Sequence, residues 1–186
     1  FDHLARRSRH RARARLALLH RGAAGVGGNG ERSGFGRQLG VALAGTAALA
    51  MWWDIAAEVR SDFEHWHAHE HFPERLSTPG FLRASRWRSS DGGDGMFVLY
   101  ELADHGVLRS PSYVSRLNAP TPWSTRLMPH HRNMVRTQCR VLESRGSLTA
   151  GSALTVRLTP AVGREAGLRL GLRNLCEQAP SRAGLT

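Results

Sequence analysis

The sequence predicts an α+β fold: a strand-helix-strand-strand-helix-strand unit over residues 46–145, followed by the start of a second unit. Three observations lead there. An apolar run ending at Asp54 precedes a segment with helical spacing, two stretches suited to strands flank a glycine-rich turn, and a proline-broken helix leads to a last alternating stretch.

In order along the chain, "TAALAMWWDI" (46–55) is apolar almost without interruption, as a strand buried on both faces is. "AAEVRSDFEHWHAHEHF" follows, with Val59, Phe63, Trp66, His67 and Glu70 three or four apart, which predicts an amphipathic helix. Pro73 is expected to end it, because proline lacks the N–H and disfavours helical geometry in Phe72. The turn "STPGF" leads to "FLRASRWRSS", which alternates apolar and Arg positions; "DGGDG" then turns the chain into "MFVLYEL", making a hairpin. "SPSYVSRLNAPTPWSTRLMPHHRN" is helical in composition on both sides of a break at Pro120 and Pro122, with Ser110 placed to cap and Pro111 at the first helical position. "MVRTQCRVLES" alternates Met134, Arg136, Gln138 and Arg140 against Val135, Thr137, Cys139 and Val141, a final strand.

This order is that of the ferredoxin-like unit, a four-stranded antiparallel sheet with both helices on one face. The other face needs a cover, usually a second copy. Beyond a linker at 146–152, "ALTVRLTPAVGREAGLRLGLRNL" supplies a strand, a turn and a helix, so residues 153–186 read as the start of an incomplete second repeat.

The chain's 186 residues carry a formal charge of +11, with Arg as the only Lys/Arg-type cation. That charge is uneven: residues 1–40 hold nine Arg against Asp2 and Glu31, while 17 Arg and 13 acids share the rest. The basic stretch is rich in Arg and Gly and poor in large apolar residues, so residues 1–45 are expected to be a disordered leader or a non-native extension rather than a nucleic-acid-binding domain. An export signal is weighed and set aside, because "LGVALAGTAALA" runs directly into the core strand. No apolar run approaches the roughly 20 residues needed to span a bilayer. Cys139 and Cys176 lack metal-type spacing and are too few for a disulfide framework, which fits a cytoplasmic location.

"FEHWHAHEHFPERL" (63–76) places His65, His67, His69 and His71 two apart. On a helix, residues four apart share a face, so His67 pairs with His71 and His65 with His69, and the four cannot converge on one ion. "HEHFPE" is not the metalloprotease pattern either, so no metal is expected. His67, Glu70 and His71 extend the apolar stripe and are expected to face the sheet, where an imidazole beside a carboxylate is the usual makeup of a general acid or base. His65 and His69 are expected in solvent. Trp52, Trp53, Trp87, Trp123, Tyr100 and Tyr113 are the aromatics that could line a substrate pocket, with Trp52, Tyr100 and Trp123 the chosen candidates for its wall, and Asn118, His130 and Asn133 lie where its lip is expected.

The run "FEHWHAHEHFPERLSTPGFLRASRW" resembles the signature of the EthD-like families of the dimeric α/β-barrel superfamily: an aromatic-rich helix leading to His-x-Pro, then Pro-Gly-apolar before the second strand. The matching residues are Phe63, Trp66, His67, His71, Pro73, Pro79, Gly80 and Phe81. Residues 110–141 are similar to a bacterial group of that superfamily whose role is largely uncharacterised. The resemblance implies a pocket between sheet and helices with His71 near its mouth, and reactions that range over monooxygenases, isomerases, cyclases and haem enzymes. It also implies assembly as a homodimer, or as an intrachain pseudo-dimer if the second repeat covers the sheet.

Two functions therefore stand open. One is a cofactor-independent acid/base enzyme of isomerase, cyclase or monooxygenase type acting on a small apolar ligand, with His71 as acid or base and His67 and Glu70 orienting it. The other is a non-catalytic interaction module of the same fold. Haem is a further option that rests on the resemblance alone.

Overall fold

The computed structural model describes residues 15–21, 43–145 and 151–179, the first of these as backbone only. Its strands are β1 (Arg15–Arg21), β2 (Ala47–Asp54), β3 (Phe81–Ser89), β4 (Gly95–Leu102), β5 (Arg132–Arg140) and β6 (Ser152–Arg157). All pair antiparallel in one sheet of order β5-β2-β4-β3-β1-β6. Within it, β5-β2-β4-β3 is the ferredoxin-like core, as expected. The helices are α1 (Ala57–Trp66), α2 (Phe72–Leu76), α3 (Pro111–Asn118), α4 (Pro122–Leu127) and α5 (Glu165–Gln178).

Alternation along the strands divides the core. Leu49, Met51 and Trp53 of β2 join Met96, Val98, Tyr100 and Leu102 of β4 on the helix-covered face, packed against the buried Phe63, Trp66 and Phe72. Ala50, Trp87 and Phe97 form a smaller cluster, with Trp52 and Leu99 half-buried against it. The hairpin and the broken helix form as expected. Ser110 accepts the Tyr113 N–H with Pro111 following it, and Thr121 accepts the Ser124 N–H with Pro122 following. Gly80, at φ 90°, makes the entry to β3; a side chain there would also collide with Val107.

Two expectations need correction. Pro73 does not end the first helix, because a π-helical turn at His67–His71 intervenes and α2 begins at Phe72. The Phe72 N–H reaches the His67 carbonyl five residues back, and a proline immediately after such a widened turn sits at the first positions of a new helical segment, where its missing N–H is tolerated. The second correction concerns the leader. Arg15–Arg21, read as disordered, is a strand, because β3 and β6 offer it hydrogen-bonding edges on both sides. The leader's residues 1–14 and 22–42 lie outside the described residues.

The outer strands also curl back. Thr155 of β6 accepts a hydrogen bond from Trp52 Nε1 at 3.1 Å, and the Arg157 guanidinium lies 4.9 Å from the Trp52 ring centre. Part of the face opposite the helices is thereby covered by the chain itself. No helix among the described residues is long and apolar enough to cross a membrane.

Candidate active site between sheet and helices

The π turn shapes the site. Along it, residues four apart share a face, and the rings of His67 and His71 stack at 5.3 Å with 24° between their planes. Both are buried, at 1% and 7% exposure, while His65 and His69 are exposed. Phe63 stacks on His67 from the other side at 5.3 Å. Trp53 and Tyr100 come up from the sheet, Arg75 from α2, and His131 from the residue before β5; together they line a cavity of about 140 Å³. Leu117, Met128 and Met134, each substantially exposed, also line it and give it an apolar rim.

Five buried polar atoms of this lining have no hydrogen-bond partner among the described residues: Trp53 Nε1, His67 Nδ1, His71 Nδ1, Arg75 Nη1 and Tyr100 OH. Unsatisfied buried groups are costly, and five around one hollow mark it as a place built to receive polar atoms from elsewhere. Three of them belong to groups that donate: indole, guanidinium and phenol. The imidazoles can accept.

The electrostatics keep those imidazoles neutral. Burial first, then the Arg75 charge and any proton taken up by His131, lowers His71 to about 3. His67 is held well below its ordinary value by burial first, then by His71 and nearby cations. His131 is also lowered by burial, although its Nδ1–H donates to the Met128 carbonyl at 2.8 Å. That bond fixes the neutral tautomer and leaves Nε2 as an acceptor. Burial pushes the Tyr100 phenol upward, so it stays a donor.

The predicted site residues divide as follows. His67, His71 and Tyr100 line the cavity. Glu70 does not orient His71: its Oε1 accepts from Trp66 Nε1 at 3.0 Å, Thr121 Oγ1 at 2.5 Å and Ser124 Oγ at 3.4 Å, tying the helix to the α3–α4 joint. The carboxylate near His71 Nδ1 is instead Glu74, at 3.8 Å. Trp52 lies on the opposite face of the sheet, since it alternates with Trp53 along β2. Trp123 lies outside the cavity, its indole N–H pointing to Asp62 at 3.3 Å and its ring against His65. Asn118 and His130 are exposed, and Asn133 donates to Asp54. Trp53, one of the aromatics considered for the pocket wall, does line the cavity, whereas Arg75 and His131 were not singled out from the sequence. Arg75, four residues after His71, was the most accessible to spacing arguments; His131 comes from a distant segment and carried no such signal.

Among the described residues, no group of three or more His, Cys, Asp or Glu side chains is arranged to hold a metal.

No protein-family model matches the chain. No curated protein matches it either. Solved structures of similar shape include a candidate monooxygenase from Fusobacterium nucleatum, at 9% identity and TM-score 0.42, covering 79% of this chain and 55% of that one. They also include SnoaB, a cofactor-independent oxygenase from Streptomyces nogalater, at 17% identity and TM-score 0.39, covering 54% and 96%. A third is a dimeric ferredoxin-like protein from an uncultured marine organism, at 11% identity and TM-score 0.43, covering 53% and 90%. The chain thus spans about half the length of the Fusobacterium protein.

Proposed function

We propose that this chain binds a small, largely apolar organic molecule through the apolar rim and carries out cofactor-independent proton transfer on it, in the manner of the EthD-like proteins its first helix resembles. The observation that carries the reading is the gathering in one small hollow of five polar atoms without a hydrogen-bond partner among the described residues, two of them, His71 Nδ1 and Arg75 Nη1, lying 3.8 Å from the Glu74 carboxylate. His71 accepts a proton from an acidic C–H or O–H of the substrate, and His67, stacked on it, positions the ring. The anion so formed lies beside Arg75 and the donors of Trp53 and Tyr100.

A base lowered to about 3 looks weak, but two causes of that value reverse during the step. The anion offsets the Arg75 charge, and it gives the new imidazolium a counter-charge inside the same low-dielectric space. Return of the proton at another position completes an isomerisation; attack of the carbanion on a carbonyl carbon of the same molecule, with the proton passing to the new alkoxide, completes a cyclisation; and addition of the carbanion to dioxygen, protonation of the peroxide and loss of water leave a new carbonyl, the monooxygenase outcome. At about 140 Å³ the hollow falls below the ~300–1,000 Å³ of drug-sized ligand pockets, so it takes a small molecule or one end of a larger one. A porphyrin does not fit, and no step runs through haem.

The test is exchange of solvent deuterium into a panel of small enolisable ketones and phenols, followed by NMR. Wild-type protein is expected to accelerate exchange for at least one compound, and His71→Asn to lose about 10²–10⁴-fold of that acceleration with unchanged circular dichroism. Undiminished exchange in His71→Ala would remove the role. The non-catalytic reading gains from the packing of both imidazoles among core aromatics, and it predicts no acceleration in any variant. Assembly belongs to the same proposal: β6 and α5, as the start of a second unit, serve as an intrachain cover that partly replaces a second copy.

A further inference from the structure

The second hollow lies on the other side of the sheet. It measures about 610 Å³ and is bounded by Leu99 of β4, Cys139 of β5, Val141 just beyond it, Val156 of β6, and Leu172 and Cys176 of α5. α5 has no buried residue, although Leu172 and Cys176, four apart, line the hollow on one helix face. α5 turns Arg169, Leu172, Arg173 and Cys176 to the hollow and buries none of them, so the described side chains leave the space beneath it unfilled. Arg173 Nε donates to Glu143 Oε1 at 2.9 Å.

Charge at this hollow is one-sided. Among the described residues, Arg140, Arg169 and Arg173 line it against the carboxylate of Glu143, which is already engaged by Arg173 and approached by Arg145. An apolar chamber within the ~300–1,000 Å³ range of ligand sites, with surplus guanidinium charge, fits a molecule with a hydrocarbon body and an anionic end. We infer that this hollow binds a single-chain amphiphilic carboxylate of the fatty-acid type, which fills the gap beneath α5 and presents its carboxylate to Arg140 and Arg169. The site is separate from the histidine cavity and does not depend on the proposal made for it.

Both cysteines of the chain line this hollow, which makes thiol labelling a local readout. The full chain is titrated with dodecanoate below its micelle concentration while labelling of Cys139 and Cys176 by a disulfide reagent is followed. Saturable slowing of both thiols by 10-fold or more is expected. Arg140→Glu/Arg169→Glu is expected to raise the dodecanoate concentration for half-protection at least 10-fold, and Val156→Trp, which fills the space from an exposed strand position, to abolish the ligand effect. Absence of protection in the wild-type chain overturns the inference. So does equal protection by dodecyltrimethylammonium, which would mean indifferent detergent binding. Protection that rises with protein concentration and needs no dodecanoate also overturns it, because a second copy would then be the occupant.

Discussion

His71 sets the acid limit of the fold at the residue scale. Its folded value of about 3 lies below the ~6.5 of the unfolded chain, so as pH falls the unfolded state takes up protons first. Stability is therefore retained above about pH 6.5 and lost progressively as pH falls toward 3. Between pH 7 and 5 the loss through this residue should be on the order of 2 kcal/mol, and urea melts of His71→Asn should show a smaller pH dependence by that amount. A second residue-scale prediction concerns Glu101, which is 1% exposed and held by Arg83 Nε and Nη2 at 2.5 and 2.7 Å and by the Ala44 N–H at 2.6 Å. Arg83→Met strands that carboxylate and should cost about 2–3 kcal/mol, less than for a fully buried pair because Arg83 is 33% exposed. Urea denaturation of the single and of the Arg83→Met/Glu101→Met double variant checks it: the double should lose less than the single. Residue orientation was legible where one stripe governed it, as for His67 and His71 continuing from Phe63 and Trp66. It was not legible at "WW", since the two tryptophans must face opposite ways and composition does not say which faces the helices.

The π turn decides how the site is presented at the element scale. A 3.6-residue period predicted the right face for both histidines but could not reveal the widened turn, because one inserted residue barely disturbs a stripe this short. The same insertion explains why Pro73 failed as a stop signal. Deleting Ala68 should restore a regular helix with the two histidines three apart, about 60° out of line. The expected outcome is a folded protein whose ring-current-shifted imidazole resonances move toward ordinary values and whose proton-exchange activity, where present, falls at least 10-fold. Glu70 was misjudged for a related reason. Helical spacing places it near His71, whereas Thr121 and Ser124, hydroxyls from a loop about 50 positions onward, claim the carboxylate. Long-range partners of this kind leave no periodic trace.

For the whole molecule, the strand and helix order of residues 46–145 was readable because each element carries its own punctuation: Pro-Gly, Asp-Gly-Gly, Ser-Pro and Thr-Pro. The curl of the sheet was not, since it depends on β1 joining β3 to β6, and β1 arises in a stretch whose composition argued for disorder. The Trp52–Thr155 hydrogen bond links β6 to the covered face, with Arg157 over the same ring. Trp52→Ala should release β6: amide hydrogen exchange at Ser152–Arg157 should accelerate about 10-fold or more, while the β2–β4 ladder keeps its protection. Equal acceleration in both would show global loosening instead.

Leu99 and Tyr100 are consecutive, yet one borders the apolar chamber under α5 and the other the histidine cavity. A single thickness of backbone is therefore a party wall between two rooms. A displacement of β4 made for an occupant of one room would carry to the lining of the other, and by linkage such an influence would run equally in both directions.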